Sequence, residues 1–274
     1  MSGSGGVSAV VPAFAHVWVI VLENHEYGSI VGNRSAPYLN SLIGRGALAT
    51  SYEAVAHPSE PNYFALFAGS TFGVRDDGRY DLAGPNVADQ LEAHGRTWRV
   101  YAQGLPGPCS TTTLAGSGVD LVGAPGTYAR KHVPAISFTS ISGNPSRCAR
   151  ITRLDPFDPA AANYELIVPN QVNDMHDGTV AQGDAFLAAF VPRITDSPAF
   201  ANGLLVITFD EGTSDSGGGG RVATILLSPR IAPGTQTSTA HDHYSLLRTI
   251  ENAWGLGCLA QSCGANDLRE VFAP

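Results

Sequence analysis

The chain lacks any apolar run that reaches the roughly 20 residues needed to cross a bilayer. The longest candidate, residues 7–22, is interrupted by Pro12 and His16. No basic segment precedes this run, so it does not have the pattern of a signal peptide. We expect residues 1–13 to be a flexible leader on a trimmed mature chain, and residues 14–274 to form one domain.

Charged residues are also scarce. They make up 15% of the chain, whereas hydrophobic residues make up 43%, and this composition indicates a protein with a sizeable core. The net charge of −8 excludes a general electrostatic attraction for nucleic acid or anionic lipid. We therefore expect a monomer with no nucleic-acid partner and no stable membrane insertion. A phosphorylated substrate would need a local positive centre, such as a metal ion or a basic cluster.

Only four cysteines are present, and none has the Cys-x-x-Cys spacing of a zinc site. Cys258 and Cys263 lie close together, whereas Cys109 and Cys148 bracket a stretch rich in glycine, proline and serine. We predict the disulfides Cys109–Cys148 and Cys258–Cys263, and hence an oxidising compartment and a secreted protein. Four free buried cysteines are the alternative.

Short apolar runs alternate with helical patterns along the chain. Buried parallel strands are predicted at residues 17–22, 98–102, 166–168, 204–209 and 222–227. Helices are predicted at residues 35–45, 61–68, 86–94, 180–194 and 244–254. This alternation predicts an α/β fold with a mostly parallel central sheet sandwiched by helices. Residues 104–150 show little periodicity and are predicted to form a long loop pinned by a disulfide.

Two of the predicted strands end in adjacent polar pairs. The run VWVIVL leads directly into Glu23 and Asn24, and the run LLVITF leads directly into Asp210 and Glu211. If these strands are parallel neighbours, three carboxylates and one amide meet at one edge of the sheet. Carboxylates that close repel one another, and a divalent cation with hard oxygen ligands removes the repulsion. The alternative is that each pair forms a solvated turn at the end of its strand.

The segment HPSEPNY at residues 57–63 contains a candidate nucleophile, Ser59. It precedes a predicted helix that has Pro61 near its first position. A hydroxyl at this place faces the positive end of the helix dipole, where an anionic phosphate is also stabilised. A serine before a helix is more often only an N-cap, so its position leaves both roles open.

A second polar segment, PNQVNDMHDG at residues 169–178, follows an apolar run and contains Asp174 and His176. A histidine and a carboxylate in such a place can bind metal or act as acid and base. An Asx-rich turn is the alternative.

Two further segments concentrate cationic or metal-binding side chains. Residues 128–134 contain Lys131 and His132 beside an arginine, which forms a local basic cluster suited to phosphate or, alternatively, a solvated surface cluster. His241 and His243 precede the last predicted helix and are either ligands or polar loop residues.

The order of the motifs along the chain resembles that of a bacterial phosphoesterase family. The motifs are, in order, LEN, HPSxPNY, YxRKHxP, PNxxNDMHDG, FDE and HYSLLRTIE. That family comprises acid phosphatases and phospholipases C and belongs to the alkaline-phosphatase superfamily. The similarity spans residues 14–256 and is closest to secreted mycobacterial members. It implies an alkaline-phosphatase-like fold and a secreted, metal-dependent acid phosphatase, with a phospholipase C as the alternative.

The resemblance implies a role for each matching residue. Ser59 corresponds to the nucleophile, which becomes phosphorylated during turnover. One divalent metal ion is implied, held by Glu23, Asn24, Ser59, Asp210 and Glu211. The residues implied to contact phosphate or to transfer protons are Asn62, Lys131, His132, His176 and His243, with Asp174 as a neighbour. Some relatives carry histidines where this chain has Gly212 and Arg221, and this difference favours one ion over two.

The resemblance also sets the expected substrates, which are phosphorylated small molecules or phosphoinositides. A binding protein that has lost turnover is a different class of function, but it would be expected to lack Ser59, Asp210 or Glu211, and all three are present. A sulfatase would require a different local motif at its nucleophile, which the sequence does not contain.

Overall fold

The computed structural model describes residues 10–119 and 125–272. The predicted leader lies largely outside these ranges, and both it and the single-domain arrangement stay predictions. Of the helices in the described part of the chain, none combines the length and the apolar character that a membrane span requires.

Twelve strands are found within the described residues. They are β1 His16–Leu22, β2 Ala47–Ala49, β3 Tyr52–Glu53, β4 Trp98–Ala102, β5 Leu114–Val119, β6 Pro125–Ala129, β7 Ile151–Arg153, β8 Tyr164–Val168, β9 Gly203–Phe209, β10 Thr224–Leu227, β11 Thr235–Thr237 and β12 His241–Asp242. All five predicted strands are present, and the bounds of the strand at 98–102 agree with the prediction.

Eight α-helices lie in the same ranges. They are α1 Tyr27–Ile30, α2 Pro37–Arg45, α3 Ser59–Ala68, α4 Val87–Ala93, α5 Thr139–Ser142, α6 Pro145–Cys148, α7 Val180–Thr195 and α8 His243–Trp254. Short 3-10 helices occur at Arg130–His132, Pro134–Ser137, Pro198–Asn202, Ser216–Gly218, Ala260–Gly264 and Arg269–Val271. The predicted helices match α2, α3, α4, α7 and α8.

The central sheet has eight strands in the order β11-β2-β10-β9-β1-β8-β4-β7. Strands β9, β1, β8, β4 and β7 run parallel to one another, and all side chains of β8 and β9 are buried. Burial on both faces explains why these strands are continuous apolar runs instead of alternating ones. The predicted fold class, a mostly parallel sheet between helices, is confirmed.

One strand differs from the prediction. The run at 222–227 was expected to be parallel, but β10 pairs antiparallel with β9, with Ile225 opposite Ile207. The segment between the two strands contains only a 3-10 turn, and a parallel connection needs a crossover that is usually a helix. The chain therefore turns back directly, and the expectation of a parallel strand was wrong.

The long segment predicted at residues 104–150 does leave the central sheet and is pinned by a disulfide, but parts of it form regular structure. Within it, β5 and β6 form an antiparallel hairpin, and α5 and α6 follow. The two predicted disulfides, Cys109–Cys148 and Cys258–Cys263, are both present. The first joins the start of this excursion to α6 and thereby holds it beside the sheet.

Candidate active site

The two polar pairs meet at the carboxyl edge of the sheet. Strands β1 and β9 are parallel neighbours in a register that places Leu22 opposite Phe209, so Glu23 and Asp210 follow side by side. Both side chains are fully buried. The backbone N–H of Asn24 donates a hydrogen bond to Asp210 Oδ1 at 3.1 Å. The register thus brings together the carboxylates that the sequence places 187 positions apart.

Ser59 lies against these carboxylates. Its Oγ is 3.0 Å from Glu211 Oε1 and 3.3 Å from Glu23 Oε2. It is the first residue of the ten-residue helix α3, instead of the residue before the helix as the sequence suggested. The hydroxyl therefore lies at the positive end of the helix dipole, which favours an anionic group at this place.

Like charges buried at one point perturb the carboxyl groups. Burial, followed by the charges of Asp210 and Asp174, raises the pKa of Glu23 well above its usual range. Burial and the charge of Glu211 raise the pKa of Asp210 to about 7. Asp210 Oδ2 is buried without a hydrogen-bond partner among the described atoms. An unpaired buried oxygen and mutually repelling carboxylates are the environment that a divalent cation stabilises, so these residues fit such an ion.

A second buried group adjoins the first. His132 Nε2 is 3.3 Å from Glu23 Oε2, and His132 Nδ1 is 3.5 Å from Asp174 Oδ2. The ligand atoms of Glu23, His132 and Asp174 all lie within 4.8 Å of one another and form a set able to bind metal. Burial, and next the charge of Lys131, lower the pKa of His132, which therefore favours its neutral, ligand-competent form. The ring stacks on Tyr63, with centroids 5.3 Å apart.

Gly212 and Arg221, the positions that differ from the family resemblance, offer no imidazole or carboxylate ligand. A Cβ added to Gly212 would lie 2.7 Å from Glu26 Oε1, so the glycine allows the chain to pass close to that carboxylate. The guanidinium of Arg221 lies over the ring of Tyr27, 3.8 Å from its centroid.

Asn62 supports the loop before Ser59. Its Oδ1 accepts hydrogen bonds from the N–H groups of Val55 and Ala56, at 3.0 and 3.1 Å. Its Nδ2 donates to the carbonyls of Ala56 and Pro58, at 2.8 and 3.3 Å. These contacts engage both ends of the amide, so this side chain holds the loop that precedes Ser59.

The two predicted active-site histidines lie in different environments. The ring of His243 is fully buried: Nε2 donates to the carbonyl of Asp210, and Nδ1 accepts from Tyr52 at 3.2 Å. Burial lowers the pKa of His243 to about 4. His176 is 26% exposed, and its Nδ1 is 2.7 Å from Asp177 Oδ1. Its ring centroid is 6.0 Å from that of His132, so it reaches the site from the solvent side.

Lys131 is paired instead of free. Its Nζ donates to Asp77 Oδ2 at 2.6 Å. Sequence reasoning missed Asp77, because it lies in a loop with no recognisable motif. It also missed two residues that contact the clustered carboxylates: His57 contacts Glu211, and Tyr63 contacts Glu23. Both belong to the HPSEPNY segment, so extending the motif analysis to its other side chains could have found them.

Comparison with known proteins identifies the family of this chain. The model of the phosphoesterase family matches residues 32–257, which is most of the chain. The chain belongs to the phosphoesterase family. The family resemblance inferred from the motifs is thus confirmed, and so is the assignment as a phosphoric ester hydrolase.

Two curated relatives illustrate the range of this phosphoesterase family. A phosphatidylinositol-3-phosphatase of Mycobacterium tuberculosis is 35% identical over 98% of this chain and 86% of its own length. An acid phosphatase of Aspergillus fumigatus is 31% identical over 94% of this chain. The chain spans 59% of the length of that fungal protein.

Solved structures confirm the fold of this phosphoesterase. A protein of the alkaline phosphatase superfamily from Vibrio parahaemolyticus has a TM-score of 0.60, covering 97% of this chain and 72% of its own at 12% identity. The lipoteichoic acid synthase LtaP of Listeria monocytogenes has a TM-score of 0.61, covering 96% of this chain and 78% of its own at 10% identity. At such low identity these matches show the shared fold alone.

Proposed function

We propose that this phosphoesterase is a secreted, metal-dependent acid phosphatase that hydrolyses phosphate monoesters through a phosphoserine on Ser59. The observation that carries the proposal is the position of Ser59 Oγ, at 3.0 Å from Glu211 and 3.3 Å from Glu23 at the N-terminus of α3. A hydroxyl so placed among metal-binding carboxylates is arranged for nucleophilic attack.

The proposed metal ligands are Glu23, Asn24, Ser59, Asp210 and Glu211, which would hold one divalent ion. When bound, the ion would supply positive charge that lowers the pKa of the serine hydroxyl and withdraws charge from the phosphate. Support for this assignment comes from the orphaned oxygen of Asp210 and the raised pKa values of Glu23 and Asp210. His132 and Asp174 adjoin Glu23 and complete a buried group whose ligand atoms lie within 4.8 Å of one another.

In the first step, Ser59 Oγ forms a bond to phosphorus as the bond from phosphorus to the alcohol oxygen breaks. Glu211 Oε1, which accepts the hydrogen bond of the Ser59 hydroxyl, takes the serine proton as the bond to phosphorus forms. The leaving oxygen takes a proton from His176, which the carboxylate of Asp177 orients. Water then attacks the phosphoserine and gives one proton to His176. The bond between Ser59 Oγ and phosphorus breaks, Oγ takes back the proton held by Glu211, and inorganic phosphate leaves.

His176 is favoured over His243 for proton transfer, because both ring nitrogens of His243 are engaged and its ring is closed to solvent. His243 instead supports the backbone of Asp210, and Asn62 supports the loop before Ser59. Lys131 supplies positive charge at the mouth of the site.

The proposed substrates are phosphorylated small molecules, with phosphoinositides among them because one curated relative is named a phosphatidylinositol-3-phosphatase. Secretion is supported by the two disulfides, which persist in oxidising compartments. A monomer without a nucleic-acid partner remains part of the proposal, consistent with the net charge of −8.

The test is to incubate the protein with a phosphatidylinositol monophosphate labelled in its monoester phosphate, quench in acid, and locate the label by peptide mass spectrometry. We expect labelled inorganic phosphate as product and a labelled Ser59 peptide, which is absent from Ser59→Ala. Release of a phosphorylated headgroup with diacylglycerol would indicate a phospholipase C instead. Turnover that persists in Ser59→Ala would overturn the nucleophile assignment.

A further inference from the structure

The helix that carries the nucleophile begins without a cap of its own. Its N-cap position is Pro58, which makes no side-chain capping hydrogen bond. The first amides of a helix lack intrahelical partners and need them from elsewhere. Here Asp77 Oδ1 accepts from the backbone N–H of Glu60 at 3.0 Å, and the N–H of Gly78 donates to Glu60 Oε2 at 2.7 Å. A distant loop therefore caps α3 reciprocally.

The other oxygen of Asp77 binds Lys131. Its Oδ2 accepts from Lys131 Nζ at 2.6 Å, and the two side chains are 27% and 20% exposed. Burial alone would lower the pKa of Lys131, but the hydrogen bond and charge of Asp77, followed by the charges of Glu23 and Asp210, raise it. The ammonium therefore lies in the field of the active-site carboxylates. Lys131 is the single lysine of the chain.

The loop that carries Asp77 is attached to the same helix. The ring of Tyr80 packs edge-on against Phe64 of α3, with centroids 6.1 Å apart. A Cβ on Gly78 would lie 2.9 Å from this tyrosine ring, so the glycine permits the tight turn that presents Asp77. The position of Asp77 is thus set by packing as well as by its hydrogen bonds.

We propose that Asp77 is a positioning residue that fixes Ser59 and Lys131 relative to each other, so that nucleophile and cation meet the same phosphate group. The inference rests on the proposed phosphatase function. One carboxylate joins the start of α3 to the turn that contains Lys131 and His132. Because geometry between reacting groups controls the barrier, loss of this link acts mainly on the chemical step.

Two substitutions of Asp77 separate its two contacts. Asp77→Asn keeps an oxygen that accepts from Glu60 N–H but loses the charge that holds Lys131, whereas Asp77→Ala loses both. We expect Asp77→Asn to lower kcat about tenfold with KM changed about twofold or less, and Asp77→Ala to lower kcat further. The neighbouring, exposed Asp76 contacts Tyr80 and provides the matched control Asp76→Asn, which we expect to keep the wild-type kcat.

A double-mutant cycle with Lys131→Met distinguishes positioning from a merely structural role. If Asp77 acts through Lys131, Asp77→Asn changes kcat by less than about twofold in the Lys131→Met background, because the two side chains are coupled. An equal factor in both backgrounds would overturn the proposal, and so would a wild-type kcat in Asp77→Asn.

A second measurement does not depend on turnover. Because Lys131 is the only lysine, its acetylation in the folded protein can be followed by mass spectrometry of one peptide. Freed from its partner, Lys131 should react about threefold faster in Asp77→Asn than in wild type or Asp76→Asn. Equal rates would show that the link is absent. If the protein shows no turnover that depends on Ser59, the proposed function is refuted instead. The acetylation rates would still show whether Asp77 holds Lys131.

Discussion

The two ends of the central sheet differ in what they bury. At the carboxyl edge, Glu23, Asp210 and Glu211 lie together with almost no exposure, and one oxygen of Asp210 has no hydrogen-bond partner among the described atoms. At the opposite edge, a cavity of about 330 Å³ lies beside Phe200, Leu227 and other largely neutral residues. The cavity is lined by Arg45 and otherwise by neutral side chains, whereas the carboxyl edge brings two carboxylates into contact with one hydroxyl. The contrast teaches that the two ends differ in buried charge, and strongly perturbed carboxyl groups of this kind are typical of functional sites.

Glu165 is a buried carboxyl group that lies toward the opposite edge of the sheet, and its neighbours differ from those of the carboxylates near Ser59. Glu165 lies early in β8, in register with Trp18, whose other neighbour is Leu205. Burial raises the pKa of Glu165 to about 8, and its Oε1 accepts a hydrogen bond from Ala162 N–H. No second buried carboxylate repels it, and no nucleophile faces it among the described residues. Burial, with a smaller contribution from the charge of Asp158, therefore raises the pKa of a carboxyl group away from Ser59, whereas the cluster near Ser59 adds neighbouring buried carboxylates and a hydroxyl.

The largest expected effect is on activity, and it is tested by removing one hydroxyl at each end of the central sheet, Ser59 at the carboxyl edge and Ser228 at the opposite edge as the control. Ser59→Ala should lower kcat/KM by about 10³-fold or more, because the nucleophile is lost, while the protein stays folded. Ser228→Ala, at the cavity, removes only an acceptor for the N–H of Arg230 and should leave kcat/KM unchanged. Kinetics with a chromogenic phosphomonoester and circular dichroism check both. Equal activity of the two variants would contradict the contrast between the ends.

The next effect concerns metal. Asp210→Asn should weaken binding of a divalent ion at least about tenfold, because it removes a charged ligand, and activity should fall with it. Asp196→Asn, at the exposed end of α7 beside the cavity, is the matched control and should bind metal as the wild type does. Elemental analysis and calorimetric titration after chelation measure this binding. A wild-type protein that is fully active while metal-free would rule out the metal assignment.

The smallest effect is on stability. The folded pKa of Glu165 is about 8 against an ordinary 4.5, so the group is protonated in the folded state and ionised in the unfolded chain between these values. Its stabilising contribution is therefore present at low pH and lost as the pH rises toward 8. Glu165→Gln should remove this dependence and raise the free energy of unfolding at pH 8 by up to about 4 kcal/mol relative to wild type.

Urea unfolding at pH 5 and pH 8 gives the measurement for Glu165. Catalytic activity should not change in Glu165→Gln, because the side chain lies far along the strand from the carboxyl edge. If the free energy of unfolding changes equally between pH 5 and pH 8 in the variant and the wild type, Glu165 does not titrate between these pH values.

Prediction from sequence was most successful where local pattern and fold geometry agree. The strands β1 and β9 are continuous apolar runs that end in polar pairs, and a parallel sheet has to bring such ends to one edge. The position of Ser59 beside them followed from a motif and a helix start. The orientation of β10 was missed, because an apolar run looks the same in either direction and only the connection decides.

The sequence by itself determined the fold class, the cysteine pairing and which carboxylates would cluster, because these depend on residue type, apolar periodicity and the order of motifs. Only the tertiary structure decided how the other side chains serve the site. It placed Asp77 between Glu60 and Lys131, turned Asn62 toward the loop before Ser59, and closed His243 off from solvent. Such roles depend on distances of a few ångströms between segments far apart in the chain, and no local pattern encodes those distances.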